Sequence, residues 1–255
     1  MTTTPYQNEK SPESETVLRI EHLKKYFGNN HVLEDFSLEL KKNRNIVVLG
    51  KSGSGKSVLI KCIIGLLQPD AGFIEVFGKN VWEMSAETLD KTRARVGFLF
   101  QSNALYDSMT VKDNLEFPLR RQWIHHSQAE IDEMVMQVLS DVNLAQTLHM
   151  MPIELSGGMR KRIALARTLI LKPDIILYDE PTTGLDPVTG KEIIQLMVDI
   201  KKKYGTAALI ISHDINCVKY ASDEVVVLVN GICYAKGTYE ELKQNEDKNV
   251  RQFFE

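Results

Sequence analysis

Residues 50–57 have the sequence GKSGSGKS, which fits the pattern G-x-x-x-x-G-K-[ST] and constrains the fold of this chain more than any other segment. The preceding residues 45–49 (NIVVL) are typical of a short buried strand, and residues 58–67 (VLIKCIIGLL) of a mostly apolar helix. A strand, a glycine-rich loop and a helix in this order are the context that the pattern requires. We therefore predict an α/β fold built around this strand–loop–helix unit.

The residue types in this loop predict that it binds phosphate groups. Glycines let backbone N–H groups close around phosphate oxygens where a Cβ would collide, and the N-terminus of the following helix adds partial positive charge. Lys56 is placed to reach the β- and γ-phosphates of a nucleotide, and Ser57 to bind Mg²⁺. The alternative, a chance glycine turn, is disfavoured by the flanking strand and helix. The residues predicted to bind the phosphates of a nucleoside triphosphate are Gly50, Lys51, Ser52, Gly53, Ser54, Gly55, Lys56 and Ser57.

The composition of the 255 residues limits the possible partners. A net charge of −3, from 31 basic and 34 acidic residues, argues against a chain that works mainly on DNA or RNA. The three cysteines form no C-x-x-C pair, so neither a disulfide framework nor a zinc site is expected. No apolar segment approaches the roughly 20 residues that span a bilayer, so a membrane role would need a partner protein.

Two kinds of strand are predicted outside the loop unit. Alternating apolar residues and turn residues predict a small antiparallel sheet formed by residues 17–26, 31–40 and 73–77. Nearly continuous apolar segments that alternate with helical segments predict parallel strands covered on both faces. These segments are residues 96–101, 174–179, 207–212 and 225–229.

The pattern changes to mainly helical between about residues 102 and 172, where Ser127 and Glu130 fit a capping box. We expect this region to be a helical subdomain inserted in a sheet domain that spans residues 17–242. A disordered polar tail at residues 1–16 and a helical tail at residues 243–255 are expected to flank that domain.

A second motif places two carboxylates at the end of a predicted parallel strand. The apolar residues 175–178 lead to Asp179 and Glu180, and open α/β sheets bind ligands at the carboxyl ends of their strands. Asp179 would hold Mg²⁺ and Glu180 would act on the attacking water as a general base. The alternative is a pair of solvated carboxylates ahead of a turn.

A third motif, Leu-Ser-Gly-Gly at residues 155–158, predicts a helix capped by Ser156. Two glycines at a helix N-terminus make a second anion-binding site, although an ordinary glycine-rich helix start explains this motif equally well when it is taken alone. The basic residues that follow, 160–162, are interpreted as solvated surface, as is the lysine run at residues 201–203.

In their order and spacing these motifs resemble those of ATP-binding cassette (ABC) ATPase subunits. The resemblance covers about residues 17–242 and includes Gly-Leu-Asp-Pro at 184–187 and Ser-His-Asp at 212–214. It implies a head-to-tail homodimer, in which each ATP lies between the phosphate-binding loop of one subunit and the Leu-Ser-Gly-Gly segment of the other. One copy of each motif per chain agrees with that requirement for a second copy.

The resemblance also implies roles for individual residues near the γ-phosphate. Gln101 would touch Mg²⁺ or the attacking water and sense the partner. His213 would hydrogen-bond the γ-phosphate and position Glu180. Residues Ser156, Gly157 and Gly158 would contact the γ-phosphate of the ATP held by the other subunit.

Two further roles follow from the same resemblance. Asp186 would lie across the dimer contact and link the two sites. Phe27 matches an aromatic residue that stacks on adenine, with Tyr26 as the neighbouring candidate. The alternative for Phe27 is a core aromatic at the end of a strand.

The residues around Gln101 resemble those of one subfamily of ABC ATPases. The segment at 98–111 (FLFQSNALYDSMTV) is similar to that of bacterial ATPases of Mla-type lipid transporters, which work with MCE lipid-binding proteins. Met159 replaces the glutamine of the common signature and fits this subfamily, as does the ending at 250–255. The resemblance implies a peripheral subunit on the cytoplasmic face of the inner membrane that drives phospholipid movement between the inner and outer membranes through a separate integral membrane permease.

Two other functions share all the core motifs. One is the ATPase subunit of an importer for another cargo, such as polar amino acids. The other is an ABC scaffold protein without a transport role.

Overall fold

The computed structural model describes residues 15–120 and 126–255, and within these ranges ten strands form one sheet. The strands are β1 (Thr16–Phe27), β2 (Asn30–Lys41), β3 (Asn45–Leu49), β4 (Ala71–Val76), β5 (Lys79–Asn80), β6 (Val96–Leu99), β7 (Ile175–Asp179), β8 (Ala207–Ser212), β9 (Glu224–Val229) and β10 (Ile232–Gly237). Across the sheet they follow the order β5-β4-β1-β2-β10-β9-β3-β8-β7-β6.

Nine α-helices lie within the described ranges, and three of them form the region between β6 and β7. The helices are α1 (Lys56–Ile63), α2 (Ala86–Ala94), α3 (Val111–Arg120), α4 (Gln128–Asp141), α5 (Gly157–Leu169), α6 (Pro187–Tyr204), α7 (Ile215–Ala221), α8 (Tyr239–Lys243) and α9 (Lys248–Arg251). Short 3₁₀ turns occur at Val81–Glu83, Ala145–Thr147 and Pro152–Glu154.

The half of the sheet that carries the glycine loop is parallel, as predicted. Strand β3 pairs in parallel with β8 and β9, and β7 pairs in parallel with β6 and β8. All five residues of β3 are buried. Val47 and Leu49 belong to one hydrophobic core, and Ile46 and Val48 to the other. Cores on both faces explain why this strand is apolar without alternation.

The other half of the sheet is antiparallel, which confirms the predicted antiparallel subdomain. Strand β1 pairs with β2 on one side and with β4 on the other. Strand β10 joins the two halves, since it pairs antiparallel with β9 and in parallel with β2, through Ile232 and Asp35. Neither β5 nor β10 was predicted from the sequence, because β5 has two residues and β10 is only partly buried.

The inserted helical region is confirmed by α3, α4 and α5, which follow β6 and precede β7. Ser127 caps α4, and Glu130 completes the predicted capping box. Of the residues that the structure describes between β6 and β7, none belongs to a strand.

Several element boundaries differ from the predicted ones. The helix predicted at 58–67 begins at Lys56 and ends at Ile63, because Gly65 adopts φ +69°, a left-handed conformation that cannot continue an α-helix. The strand predicted at 96–101 ends at Leu99, so that Phe100 and Gln101 leave the sheet.

The predicted tails have different outcomes. Residues 1–14 of the predicted polar tail lie outside the described residues, and Thr16 already pairs with Lys41 in β1, which corrects the end of that tail. At the other end, the helical tail expected at residues 243–255 contains only the last residue of α8 and the short helix α9. Val250 in α9 is buried and anchors this segment to the core.

No helix in the described ranges combines the length and the apolar character needed to cross a bilayer.

Asp141 fixes the inserted region to α6 and provides a pH-dependent contribution to stability. Its carboxylate, at the end of α4, accepts hydrogen bonds from the Lys203 ammonium and the Tyr204 hydroxyl at the end of α6. Burial opposes ionisation, but these donors outweigh it and lower the pKa of Asp141. A lowered pKa in the folded state stabilises the protein above the unfolded value of 3.8, and this stabilisation is lost as the pH falls through the folded pKa.

We expect Asp141→Asn to lower the free energy of unfolding at pH 7 by about 1.5–3 kcal/mol, the usual contribution of hydrogen bonds to a charged group. The difference from the wild type should shrink below about pH 4. Urea unfolding at pH 7 and at pH 3.5 measures both values. Asp199→Asn, at an exposed position of α6, is the matched control. An equal loss at both pH values would contradict this role of the Asp141 charge.

Candidate functional site

The glycine loop joins β3 to α1 and has a backbone that only glycine tolerates at two positions. Gly53 has φ +80° and Gly55 has φ +99°. A Cβ on Gly55 would lie 2.8 Å from the backbone oxygen of Val32 in β2. The loop therefore passes close to β2 and leads into the N-terminus of α1, where an anion is favoured.

The Lys56 side chain folds back over this loop. Its ammonium donates hydrogen bonds to the backbone oxygens of Gly50 at 2.7 Å and Lys51 at 3.0 Å. The residue is only 7% exposed, and its Nζ lies 3.6 Å from Oε1 of Glu180. The loop thus holds a buried positive charge that faces a carboxylate.

Glu180 is held in place by its backbone and by its side chain. It follows β7 with φ +49°, and its N–H donates to the backbone oxygen of Ile211 in β8 at 2.9 Å. Its Oε2 lies 2.8 Å from Nδ1 of His213 and accepts a hydrogen bond from the Thr183 hydroxyl at 3.2 Å. A left-handed conformation outside glycine costs energy and is concentrated at functional sites. The carboxylate is therefore oriented before any ligand arrives.

His213 is the exposed member of this pair. It follows β8, and its side chain is 62% exposed, against 12% for Glu180. With Nδ1 directed at the carboxylate, Nε2 occupies the other side of the ring and can serve a second group. The ring can therefore orient Glu180 through an N–H at Nδ1, and in its protonated form it can also donate from Nε2 to a ligand.

Asp179 and Ser57 fit a magnesium ion. Oδ1 of Asp179 is buried and has no hydrogen-bond partner among the described residues. Burial and the neighbouring Glu180 charge raise the pKa of Asp179, while the charges of Lys56 and Lys61 and a hydrogen bond from Ser57 lower it in part. Carboxylate and hydroxyl oxygens are ligands that Mg²⁺ prefers, and Mg²⁺ needs few protein ligands because it keeps waters and binds substrate phosphates.

One cavity of about 810 Å³ brings together the glycine loop and the predicted catalytic side chains. Gln101, Glu180 and His213 line it together with loop residues that include Lys56 and Ser57. Five other residues line the cavity and were not predicted as site residues: Val32, Val58, Thr183, Gln252 and Phe253. Thr183 could have been found as a hydroxyl three residues after the candidate base.

Gln101 reaches this cavity from a loop, residues 100–107, that follows β6 and is named the glutamine loop here. Its backbone oxygen accepts a hydrogen bond at 3.0 Å from the ammonium of Lys161 in α5. Lys161 is 1% exposed, so the prediction that residues 160–162 are solvated surface is wrong for this residue. Arg160 is exposed, as predicted.

The Leu-Ser-Gly-Gly segment, or signature, forms the start of α5. The hydroxyl of Ser156 accepts a hydrogen bond from the N–H of Met159 at 3.2 Å, so the predicted helix cap is present. Among the described residues that line the 810 Å³ cavity, none comes from this segment. The helix end that is predicted to bind an anion therefore does not line the cavity of the glycine loop in the same chain.

Asp186 caps α6 beside this segment. Its carboxylate accepts hydrogen bonds from the N–H groups of Val188 and Thr189, both at 3.0 Å. The Thr189 hydroxyl also donates to the carboxylate, at 2.5 Å. A Cβ on Gly158 would lie 2.5 Å from Cγ2 of Thr189. Asp186 thus fixes the side chain against which the second signature glycine packs.

This contact predicts that Gly158→Ala destabilises the protein by about 1–3 kcal/mol through overpacking. Thr189 cannot rotate away without losing its bond to Asp186, whereas Thr189→Ser removes only the clashing methyl group. The double variant should therefore regain most of the lost stability in urea unfolding. Gly157→Ala is the matched control, since the nearest atom to its Cβ would be 3.9 Å away on Leu185. A Gly158→Ala protein as stable as the wild type would contradict the packing argument.

The two candidate adenine-stacking residues lie near the turn between β1 and β2. Phe27 is 47% exposed, with the Lys25 ammonium 5.5 Å from the centre of its ring. The Tyr26 ring lies 4.3 Å from the His31 ring, and His31 lines a second cavity of about 470 Å³ that borders residues 51–54. The stacking role of Phe27 stays a prediction.

Comparisons with known proteins show which family the chain matches. The family model described as "ABC transporter" matches residues 33–183. The chain is 36% identical over 231 residues to the "intermembrane phospholipid transport system ATP-binding protein MlaF" of Escherichia coli K12, covering 89% of this chain and 84% of that protein. It is 40% identical over 236 residues to the "probable ribonucleotide transport ATP-binding protein mkl" of Mycobacterium leprae, covering 92% and 68%. The chain thus spans about two thirds of that mycobacterial relative.

Solved structures share the fold. The ATP-binding cassette MJ0796, a dimer in a post-hydrolysis state bound to ADP and Pi, matches with a TM-score of 0.79 and 28% identity over 87% of this chain and 98% of that chain. The cbiO1 protein of Clostridium perfringens, part of the transporter complex cbiONQ, matches with a TM-score of 0.83 and 28% identity over 94% of both chains. The chain therefore belongs to the ABC transporter family and is an ATP-hydrolysing cassette of that family.

Proposed function

We propose that this cassette powers a bacterial transporter that moves phospholipid between the inner and outer membranes. It would work as a homodimer on the cytoplasmic face of the inner membrane, with a separate integral membrane permease and an MCE-type lipid-binding protein. The observation that carries this proposal is the 34–36% identity, over 89–94% of the chain, to two proteins named as phospholipid transport ATP-binding proteins.

The cavity geometry supports a division of labour in ATP hydrolysis. Residues 50–57 would hold the phosphates, with Lys56 as the central positive charge. A water molecule would attack the γ-phosphorus, the bond to the β–γ bridging oxygen would break, and Glu180 would take the proton from the water. His213, 2.8 Å from Glu180, would keep that carboxylate aimed at the water and, in its protonated form, donate from Nε2 to the γ-phosphate.

Asp179, Ser57 and Gln101 would hold Mg²⁺, which when bound supplies charge neutralisation at the phosphate oxygens. The buried Oδ1 of Asp179, which lacks a hydrogen-bond partner among the described residues, supports this assignment. The protein's own contribution is to keep that carboxylate at the carboxyl end of β7, beside the N-terminus of α1.

A homodimer is supported by the separation of the two anion-binding helix ends within one chain. Ser156, Gly157 and Gly158 would complete the site of the second subunit, and Asp186 would lie across the contact. The dimeric structures of MJ0796, one of which holds ADP and Pi, support such an arrangement for a related cassette.

Identification of membrane partners tests the lipid assignment. The chain is tagged in its native host, the membranes are solubilised in detergent, and the captured proteins and lipids are analysed by mass spectrometry. We expect an integral membrane permease, an MCE-type protein and bound phospholipid. Capture of a receptor for polar amino acids, of a ribonucleotide transport system, or of a purely soluble complex would contradict the proposal, and each result would identify the alternative.

A second experiment locates the permease contact. A photo-crosslinking amino acid replaces Tyr106, which lies in the glutamine loop and is 40% exposed. The same amino acid at Tyr220 in α7, 57% exposed, is the matched control. We expect cross-links to the permease from position 106 and none from position 220. No cross-link from position 106 in any nucleotide state would exclude docking at this loop.

A further inference from the structure

Lys161 is a buried cation to which the hydrolysis scheme assigns no role. It lies in the second turn of α5, and its ammonium donates hydrogen bonds to the backbone oxygens of Gln101 at 3.0 Å and Phe100 at 3.5 Å. Within the described ranges no carboxylate oxygen lies close enough to form an ion pair with it, although the charge of Asp179 acts on it through space. A buried ammonium bound only to carbonyl groups is costly, so its position requires an explanation.

The two carbonyl groups lie where the chain leaves β6. Strand β6 ends at Leu99, and Gln101 enters the 810 Å³ cavity two residues later. Because one ammonium binds two consecutive carbonyl groups, it fixes the direction in which the backbone turns away from the sheet. The position of the Gln101 side chain in the cavity depends on that direction.

Other contacts also hold the residues before and after Gln101 to α5. Before Gln101, a Cβ on Gly97 would lie 2.5 Å from Cγ2 of Thr168, and the Thr168 hydroxyl donates to the Phe98 oxygen at 3.3 Å. After it, Arg167 donates to the Ala104 oxygen at 2.7 Å. The end of β6 and the glutamine loop are thus held to α5 on either side of the Lys161 contact.

The same helix begins at the predicted signature. Ser156 caps α5, and Lys161 follows five residues later, so about one and a half helical turns separate the signature from the glutamine loop anchor. Over this length a packed α-helix moves as a unit. A displacement of the signature end would therefore reach Gln101 through Lys161.

We propose that Lys161 is a positioning residue for ATP hydrolysis: it holds the Gln101 backbone in the nucleotide site and ties it to the helix that carries the signature. The role of Gln101 in this inference rests on the proposed function. Lys161 is not among the described residues that line the 810 Å³ cavity. Its effect is expected on turnover and on the order of the glutamine loop, while ATP affinity is supplied by residues 50–57.

The test compares Lys161→Met with the wild type in the isolated full chain. Methionine has a similar length and fills the buried space, but it cannot donate a hydrogen bond. We expect faster amide hydrogen exchange in residues 100–107 without nucleotide, and unchanged exchange in residues 157–169. The turnover rate kcat should fall by about 10- to 100-fold, as expected for a misplaced group at the reacting centre. The ATP affinity, measured without Mg²⁺, should stay close to that of the wild type.

Two further variants separate positioning from general damage. Lys161→Gln retains an N–H donor and should recover most of the turnover and of the exchange protection. Arg162→Met is the matched control, since Arg162 lies on the same helix but contacts the Val142 oxygen and the Glu192 carboxylate. It should leave exchange in residues 100–107 unchanged. If Lys161→Met fails to fold, Lys161→Gln is compared with Arg162→Met by the same measurements. Both variants keep a donor at position 161, so both should behave as the wild type. A loosened glutamine loop in Lys161→Gln would then overturn the proposal.

Three results would overturn the proposal: wild-type exchange in residues 100–107 of Lys161→Met, an unchanged kcat, or a loss of ATP affinity as large as the loss of turnover. The exchange measurement needs no permease, lipid or turnover. A failure of the lipid transport assignment would therefore leave the result on Lys161 standing, and a failure for Lys161 would leave the lipid assignment untouched.

Discussion

Glu180→Gln is expected to lower the steady-state rate of ATP hydrolysis by about 10²–10⁴-fold, the usual contribution of a general base. The amide oxygen of glutamine can still accept the hydrogen bonds from His213 and Thr183 that orient Glu180, so the geometry of the site should persist. Only the capacity to take a proton is lost. ATP should bind with near wild-type affinity, and the ATP-bound homodimer should accumulate because it cannot proceed to ADP.

Phosphate release under saturating ATP measures the rate, and size-exclusion chromatography with and without ATP measures the dimer. Glu87→Gln, which changes an exposed carboxylate of α2 that pairs with Lys91, is the matched control and should behave as the wild type. Full turnover in Glu180→Gln would remove Glu180 from the role of base. Lost turnover without any dimer would point instead to a site that is complete within one chain.

The parts of the fold that the sequence predicted are those that depend on local pattern. The strands predicted at 45–49 and 207–212 match β3 and β8 residue for residue, because each is a short apolar segment buried on both faces. Ser127 and Glu130 identify the start of α4 because a capping box depends on four consecutive residues only. The spacing of apolar residues changes from every second residue in the predicted strands to a helical period, and this change distinguished the inserted helices from the sheet domain.

The features that sequence analysis missed depend on contacts between distant segments. Lys161 lies among basic residues whose sequence is typical of solvated surface. Its hydrogen-bond partner Gln101 is 60 residues away along the chain, so the local sequence could not show that contact. The left-handed backbone of Glu180 depends on β8, which is formed by residues 27 or more positions later. Neither α2 nor α7 was predicted, although Ser85 and Asp214 cap them, because both helices are too short for a clear apolar period.

Lys56→Ala is expected to weaken ATP binding by about 10- to 100-fold. A lysine that bonds to phosphate oxygens contributes about 1.5–3 kcal/mol per charge-assisted hydrogen bond, and each 1.4 kcal/mol changes an affinity tenfold. The variant also removes the bonds to the Gly50 and Lys51 oxygens, which hold the loop in its cradle shape. Equilibrium titration with ATP in the absence of Mg²⁺ measures the affinity without turnover. Lys61→Ala, at an exposed position of the same helix, is the matched control.

The contrast between Lys56→Ala and Glu180→Gln tests the division of labour within the cavity. The two charged groups lie only 3.6 Å apart, so general damage to this region would affect binding and turnover alike in both variants. Separate roles predict instead that Lys56→Ala loses affinity and that Glu180→Gln keeps affinity but loses turnover. Normal ATP affinity in Lys56→Ala would contradict the cradle assignment, since no other buried ammonium among the described loop residues could replace it.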